Sequence, residues 1–145
     1  MKLRVLFLCT GNSCRSQMAE AWANWLRSDS LEASSAGTHP KALDPLAVRA
    51  MKEHGIDISG SRSKHVQELL SVPFDYVVTV CDAASQECPF FPGKARIVHR
   101  GFDDPPKLAA ASRSDEERMA IYRRVCIEIR DYILTLPGAL TNPVG

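Results

Sequence analysis

The sequence predicts an α/β fold: a single three-layer domain in which a parallel sheet of about four strands is flanked by helices. Three observations predict it. Short, largely apolar runs suit strands buried on both faces: Val5-Leu6-Phe7-Leu8-Cys9, and FDYVVTVC over residues 74–81. Segments with apolar residues at helical spacing lie between and beyond those runs. The chain has 145 residues, 45% of them hydrophobic and 24% charged, which is enough to bury one full core without metal or disulfide staples.

The elements follow in order. Residues 2–9 read as the first strand, and residues 10–16 as a polar loop bearing Gly11. Met18, Ala19, Trp22, Trp25 and Leu26 recur at helical spacing, so a helix covers residues 16–27, with both tryptophans in the core. A short second strand spans 31–36 and ends at Gly37. Asp44-Pro45 forms an N-cap and first-turn pair for a helix over 46–54, closed by Gly55. A short helix covers 64–70, the buried strand 74–81 follows, and a weaker fourth strand spans 95–99. Met119, Tyr122, Val125, Cys126, Ile129 and Ile133 mark a long helix from Asp115 to about residue 136. Pro137-Gly138 stops it. A catalytic domain over 1–136 is therefore expected, with a loose tail over 137–145. Neither an internal repeat nor a linker is visible. In an open flavodoxin-like sheet the site lies beyond the carboxyl ends of the strands, which places Cys9 and Cys81 on one rim.

Lys plus Arg is 18 and Asp plus Glu is 17, a net charge of +1. So even a balance predicts neither nucleic-acid binding nor attachment to a membrane surface. The first apolar run is too short for a secretory segment, and no stretch approaches the ~20 apolar residues of a membrane span. The expected location is cytoplasmic. Five cysteines, Cys9, Cys14, Cys81, Cys88 and Cys126, are an odd number in such a chain. A static disulfide framework is disfavoured, and reactive thiols are expected.

Residues 9–16 read Cys-Thr-Gly-Asn-Ser-Cys-Arg-Ser, between an apolar strand and an amphipathic helix. Strand, tight loop and helix start together form an anion cradle. Backbone N–H groups of Thr10, Gly11, Asn12, Ser13 and Cys14 point inward, and the helix dipole adds positive potential. Gly11 and Asn12 tolerate the left-handed backbone that such a wrap needs. Arg15 offers a fork for two oxygens of a tetrahedral oxyanion. Such a loop favours the thiolate of a strand-end cysteine, here Cys9, and Ser16 can donate a hydrogen bond to its sulfur. The phosphate-binding GxxxxGK[ST] and dinucleotide GxGxxG motifs are absent, against a P-loop NTPase or a dinucleotide enzyme.

CTGNSCRSQMAE, from Cys9 to Glu20, resembles the signature of thioredoxin-coupled arsenate reductases. These share the fold and loop of low-molecular-weight protein tyrosine phosphatases. The phosphatases typically carry proline where this chain has Gln17. The likeness continues through SAG ending at Gly37, MKEHGIDIS from Met51, VVTVC ending at Cys81, CP at Cys88 and GFDDP ending at Pro105.

The resemblance implies a chemistry. Arsenate reduction needs two electrons, which thiols supply by ending as a disulfide. Cys9 attacks arsenic, Cys81 attacks Cys9, and Cys88 attacks Cys81 to leave a Cys81–Cys88 disulfide that thioredoxin reduces; no bound cofactor is implied. Cys81 and Cys88 are seven residues apart. In a helix that spacing gives about 10 Å of rise, whereas a disulfide needs Cα atoms within ~7 Å. Their pairing therefore requires the segment to unwind. Asp104, directly before Pro105, is implied as the acid that protonates the leaving oxygen, with Asp103 a solvated neighbour. A family tryptophan before GFDDP is Arg100 here, and the phosphatases' tyrosine after Asp-Pro is Pro106. Some relatives use glutaredoxin and glutathione instead of thioredoxin. Many hold a potassium ion behind the loop, on ligands corresponding to Asn12, Glu20, Ser35 and an aspartate. Lys64 stands in the aspartate's place, and its ammonium is expected to pair with Glu20 and replace the ion.

Two other readings remain. One is a low-molecular-weight protein tyrosine phosphatase using Cys9, Arg15 and Asp104, with Cys81 and Cys88 as bystanders. The other is a redox-sensing or anion-binding module without turnover. A zinc site is disfavoured because no C-x2-4-C spacing is present, and His39, His54, His65 and His99 show no ligand spacing. Cys126 sits on an apolar helix face and reads as core, while Cys14 carries no essential role.

Overall fold

The structure is a computed structural model that describes residues 2–81 and 93–141. Four parallel strands form one sheet in the order β2-β1-β3-β4. They are β1 (Leu3–Cys9), β2 (Leu31–Gly37), β3 (Tyr76–Thr79) and β4 (Arg96–His99). The helices are α1 (Arg15–Leu26), α2 (Pro45–Lys52), α3 (Pro105–Ala109), α4 (Asp115–Ile133) and α5 (Gly138–Thr141). A single 3-10 turn covers Val66–Leu69. The parallel sheet flanked by helices is the predicted architecture.

β1 is central and paired on both sides, so its residues from Val5 to Cys9 are all buried. Period-2 alternation divides them between two clusters. Val5, Phe7 and Cys9 join Met18, Trp22, Met51, Met119, Val125 and Ile129 beneath the helices. Leu6 and Leu8 join Ala36, Val66, Phe74 and Val77 on the opposite face. The register aligns Cys9 with Gly37 and brings the carboxyl ends of β1 and β3 to one rim.

Several expectations need correction. Trp22 is buried, but Trp25 is 62% exposed, because it lies about 90° around the helix from the centre of the buried stripe of Met18, Ala19, Trp22 and Ala23. The tail is not loose as far as Thr141: it folds into α5 and buries Leu140 in the main core. The helix expected over 64–70 is the 3-10 turn, capped by the His65 ring on the Gln67 N–H. Helix α3 was not anticipated, although Asp104-Pro105 is an N-cap and first-turn pair of the kind that starts α2. The predicted core position of Cys126 holds. Cys88 lies outside the described residues.

Candidate active site

The loop between β1 and α1 is shaped from behind. The segment following β2 presents three backbone N–H groups to it: His39 to the Thr10 carbonyl (2.9 Å), Lys41 to the Gly11 carbonyl (2.9 Å) and Asp44 to the Ser13 carbonyl (3.0 Å). In a trans peptide C=O and N–H point in opposite directions. Drawing these three carbonyls outward therefore turns the N–H groups of Gly11, Asn12 and Cys14 toward the concave side of the loop. Such successive inward N–H groups form an anion nest at a helix N-terminus.

Asn12 makes the wrap possible. It is fully buried with φ 48°, in the left-handed region. Its side-chain amide donates to the Ser16 hydroxyl (2.8 Å), and its Oδ1 accepts the Lys64 backbone N–H (2.9 Å) and the Gln17 amide (3.1 Å). The Ser63 hydroxyl donates to its carbonyl (2.7 Å). These contacts hold a backbone conformation that a non-glycine residue adopts at a cost. With Asn12 donating to its oxygen, the Ser16 hydroxyl keeps its own proton to give. Gly37 is a second requirement: a Cβ there would sit 2.4 Å from the Thr10 carbonyl oxygen. β2 must end in glycine for the loop to pass so close.

A cavity of about 360 Å3 opens over the loop. Cys9, Thr10, Gly11, Ser13, Cys14 and Arg15 line it from the loop side, Cys81 from the end of the β3 segment, and Asp104 from the N-terminus of α3. Pro106, already singled out after Asp104-Pro105, completes the wall together with Lys41 and Lys107, which sequence reasoning missed. Cys9 and Cys81 are 4% and 1% exposed. Cys9, Cys14 and Cys126 are free thiols. Burial pushes the Cys14 thiol well above the usual cysteine range, and the negative charge of Asp44 adds to the effect. Cys14 is thereby disfavoured as a second loop nucleophile.

Arg15 is almost wholly buried. One guanidinium nitrogen donates to the Phe102 carbonyl (3.0 Å) and the other lies 3.7 Å from Asp104 Oδ1. The loop that carries Asp104 is thus docked on Arg15. Adjacent Asp103 is not simply solvated: Arg124 of α4 pairs with it at 3.2 Å. Arg100 does not reach the cavity wall but folds back with its guanidinium 4.4 Å above the Phe102 ring.

Lys64 departs from expectation. Its ammonium donates to the Arg62 carbonyl (3.1 Å), and among the described residues no ion pair involves Glu20, which accepts the Ser35 hydroxyl (2.8 Å). The reason is local. The Lys64 backbone N–H is committed to Asn12, so the side chain folds back onto its own turn. Gln17, rather than an ammonium, ties the loop to this segment, by donating to Asn12 and to the Arg62 carbonyl (3.2 Å). The residues do not fit a potassium ion: the Asn12 oxygens are taken by donors, Ser35 is turned to Glu20, and a lysine stands where an anionic ligand is needed. No group of three or more His, Cys, Asp or Glu side chains suited to a metal occurs among the described residues.

No described helix is long and apolar enough to cross a membrane. Among curated proteins the chain is 47% identical over 131 residues to an arsenate reductase of Halalkalibacterium halodurans, covering 90% of this chain and 92% of that one. A crystal structure of arsenate reductase from Archaeoglobus fulgidus superimposes with a TM-score of 0.74 at 31% identity, covering 92% of this chain and 98% of the other. A thioredoxin-dependent arsenate reductase of Corynebacterium glutamicum superimposes with a TM-score of 0.60 at 25% identity, covering 92% of this chain and 62% of the other. The family model for low molecular weight phosphotyrosine protein phosphatase matches residues 4–137. By that match, and by the cradle at its centre, the chain belongs to the low molecular weight phosphotyrosine protein phosphatase family.

Proposed function

We propose that this chain is an arsenate reductase working through a thiol relay. The observation that carries the reading is that Cys81 lines the same cavity as Cys9 and Arg15. A phosphatase needs one nucleophilic cysteine and no electrons. A second buried thiol at the nucleophile's rim is what a two-electron reduction needs.

Arsenate binds with its oxygens on the loop N–H groups and the Arg15 guanidinium. The Cys9 thiolate, with the Ser16 hydroxyl as hydrogen-bond donor, attacks arsenic, and a Cys9–arsenic bond forms. Asp104 gives a proton to the departing oxygen, which leaves as water. The Cys81 thiolate then attacks the Cys9 sulfur. The sulfur–arsenic bond breaks with its electron pair on arsenic, so arsenate is reduced to arsenite and the two thiols are oxidised to a Cys9–Cys81 disulfide. Cys88 attacks Cys81 and frees Cys9, leaving a Cys81–Cys88 disulfide for thioredoxin, a reductant that the Corynebacterium glutamicum relative's name supports. The work is that of arsenic detoxification in the cytoplasm.

The first step of this scheme is also the first step of phosphoester hydrolysis, in which water would then cleave the Cys9–phosphorus bond and release phosphate. Cys9, Arg15 and Asp104 suit either anion, so a weak phosphatase activity is part of the proposal, with Cys81 as the feature that makes reduction the principal reaction. The test is an NADPH-coupled assay with arsenate, run separately with thioredoxin and its reductase and with glutaredoxin and glutathione. Turnover with the first system is expected. Turnover confined to the second overturns the relay through Cys88, and turnover with neither overturns the reductase reading.

A further inference from the structure

Asp44 touches three parts of the molecule at once. Its Oδ1 accepts the Leu46 N–H (2.9 Å) and caps α2, and its backbone N–H holds the Ser13 carbonyl of the anion loop (3.0 Å). Its Oδ2 accepts the hydroxyl of Tyr122, in α4, at 2.6 Å. Tyr122 is 3% exposed and anchored on either side along α4 by Met119, Val125 and Cys126, which are fully buried. The segment that turns the loop carbonyls outward is otherwise a surface segment: residues 39–42 are exposed. The Tyr122–Asp44 bond ties that segment to the rigid interior.

We propose that Tyr122 and Asp44 are positioning residues for oxyanion binding: together they hold the Ser13 carbonyl outward and so keep the Cys14 N–H turned toward the bound anion. The inference deepens the reading of the loop as a tetrahedral-oxyanion site and rests on it. The mechanism is preorganisation, in which a donor fixed before the anion arrives need not be ordered by it. Burial and the Asp44 carboxylate both push the Tyr122 hydroxyl above its ordinary range, so it stays a donor at any working pH. Nothing in the linear sequence pairs these two residues, which are 78 positions apart.

The experiment measures the dissociation constant of inorganic phosphate by calorimetry, with the reduced full chain, at a temperature where circular dichroism shows each variant folded. Tyr122→Phe is expected to weaken phosphate about fivefold, the scale of one lost buried hydrogen bond. Asp44→Asn keeps an oxygen for the α2 cap and an amide for the Tyr122 hydroxyl, and is expected to bind within about twofold of the parent. Asp44→Ala removes both and is expected to weaken binding further than Tyr122→Phe. In the arsenate assay the same order is expected in KM, with a smaller change in kcat. Unchanged phosphate affinity in folded Tyr122→Phe overturns the inference. So does tighter binding in both Asp44→Asn and Asp44→Ala, since Asp44 would then act only as a repelling charge. If Tyr122→Phe does not fold, the two Asp44 variants decide alone. A parent protein that binds no phosphate overturns the oxyanion-site reading itself, a result distinct from the other outcomes.

Discussion

The two walls of the cavity are built differently. The loop from Thr10 to Gln17 is buried or half-buried throughout, its carbonyls and side chains are tied to two separate segments, 39–44 and 62–64, and Thr10 packs closely against Gly37 at the end of β2. The facing wall is lightly held. Asp104 is partly exposed and 3.7 Å from Arg15, Asp103 reaches α4 through one ion pair at the surface, and Lys107 is exposed. The contrast follows the chemistry. A tetrahedral anion is recognised by donors that must not move, so the cradle is over-determined. Asp104, the proposed proton donor, must change state during turnover, and it sits where fewer contacts resist the change.

The contrast can be broken most severely at the sulfurs. Cys9→Ser is expected to abolish both arsenate reduction and hydrolysis of a small aryl phosphate, because both begin with its thiolate. Cys81→Ser is expected to abolish multiple-turnover reduction while leaving aryl phosphate hydrolysis largely intact. Equal loss of both activities in Cys81→Ser would make Cys81 part of the cradle and erase the distinction between the walls.

The next largest effect is expected at Gly37. A Cβ 2.4 Å from the Thr10 carbonyl cannot be accommodated without moving backbone. Gly37→Ala should cost about 1–3 kcal/mol in urea unfolding, the usual range for overpacking, and should weaken phosphate binding. Gly55→Ala is the contrasting case: φ is +79° there and no atom lies within 4 Å of the added Cβ, so stability alone should fall. Loss of phosphate affinity in Gly55→Ala, or none in Gly37→Ala, would show that the close approach is not what shapes the cradle.

How much of this was legible depended on distance along the chain. The cradle was: Cys9, Arg15 and Ser16 lie within eight residues, between an apolar strand and a helix whose periodicities are strong. The parallel sheet was legible for the same reason, since β1 and β3 are nearly unbroken apolar runs. Long-range partners were not. The donors of 39–44, the Gly37 contact and the Tyr122–Asp44 bond depend on how β2, α2 and α4 stack, and no local pattern encodes that. Trp25 was misjudged because spacing alone does not place the centre of a buried stripe. Helix α3 is hard to see in the sequence because Asp104-Pro105 carries two signals at once, an acid beside a proline and a helix start.

The smallest effect concerns the Lys64 side of the loop. With Gln17 and the Lys64 backbone N–H already filling the oxygens of Asn12, exchanging potassium for sodium at constant ionic strength should alter neither thermal stability nor reductase kinetics. Lys64→Asp leaves both of those donors in place and should introduce no potassium dependence. A potassium-specific gain in the unaltered chain would mean that the donors around Asn12 rearrange to admit an ion.

The relay itself is tested most directly by trapping its middle. Cys88→Ser removes the third thiol, so a single equivalent of arsenate should convert the reduced variant to a Cys9–Cys81 disulfide with one equivalent of arsenite released. Peptide mapping of the acid-quenched, alkylated protein reads the linkage. The account predicts that disulfide in near-stoichiometric yield. Arsenite released while Cys9 and Cys81 both remain alkylatable would contradict it, since the electrons would then have come from elsewhere.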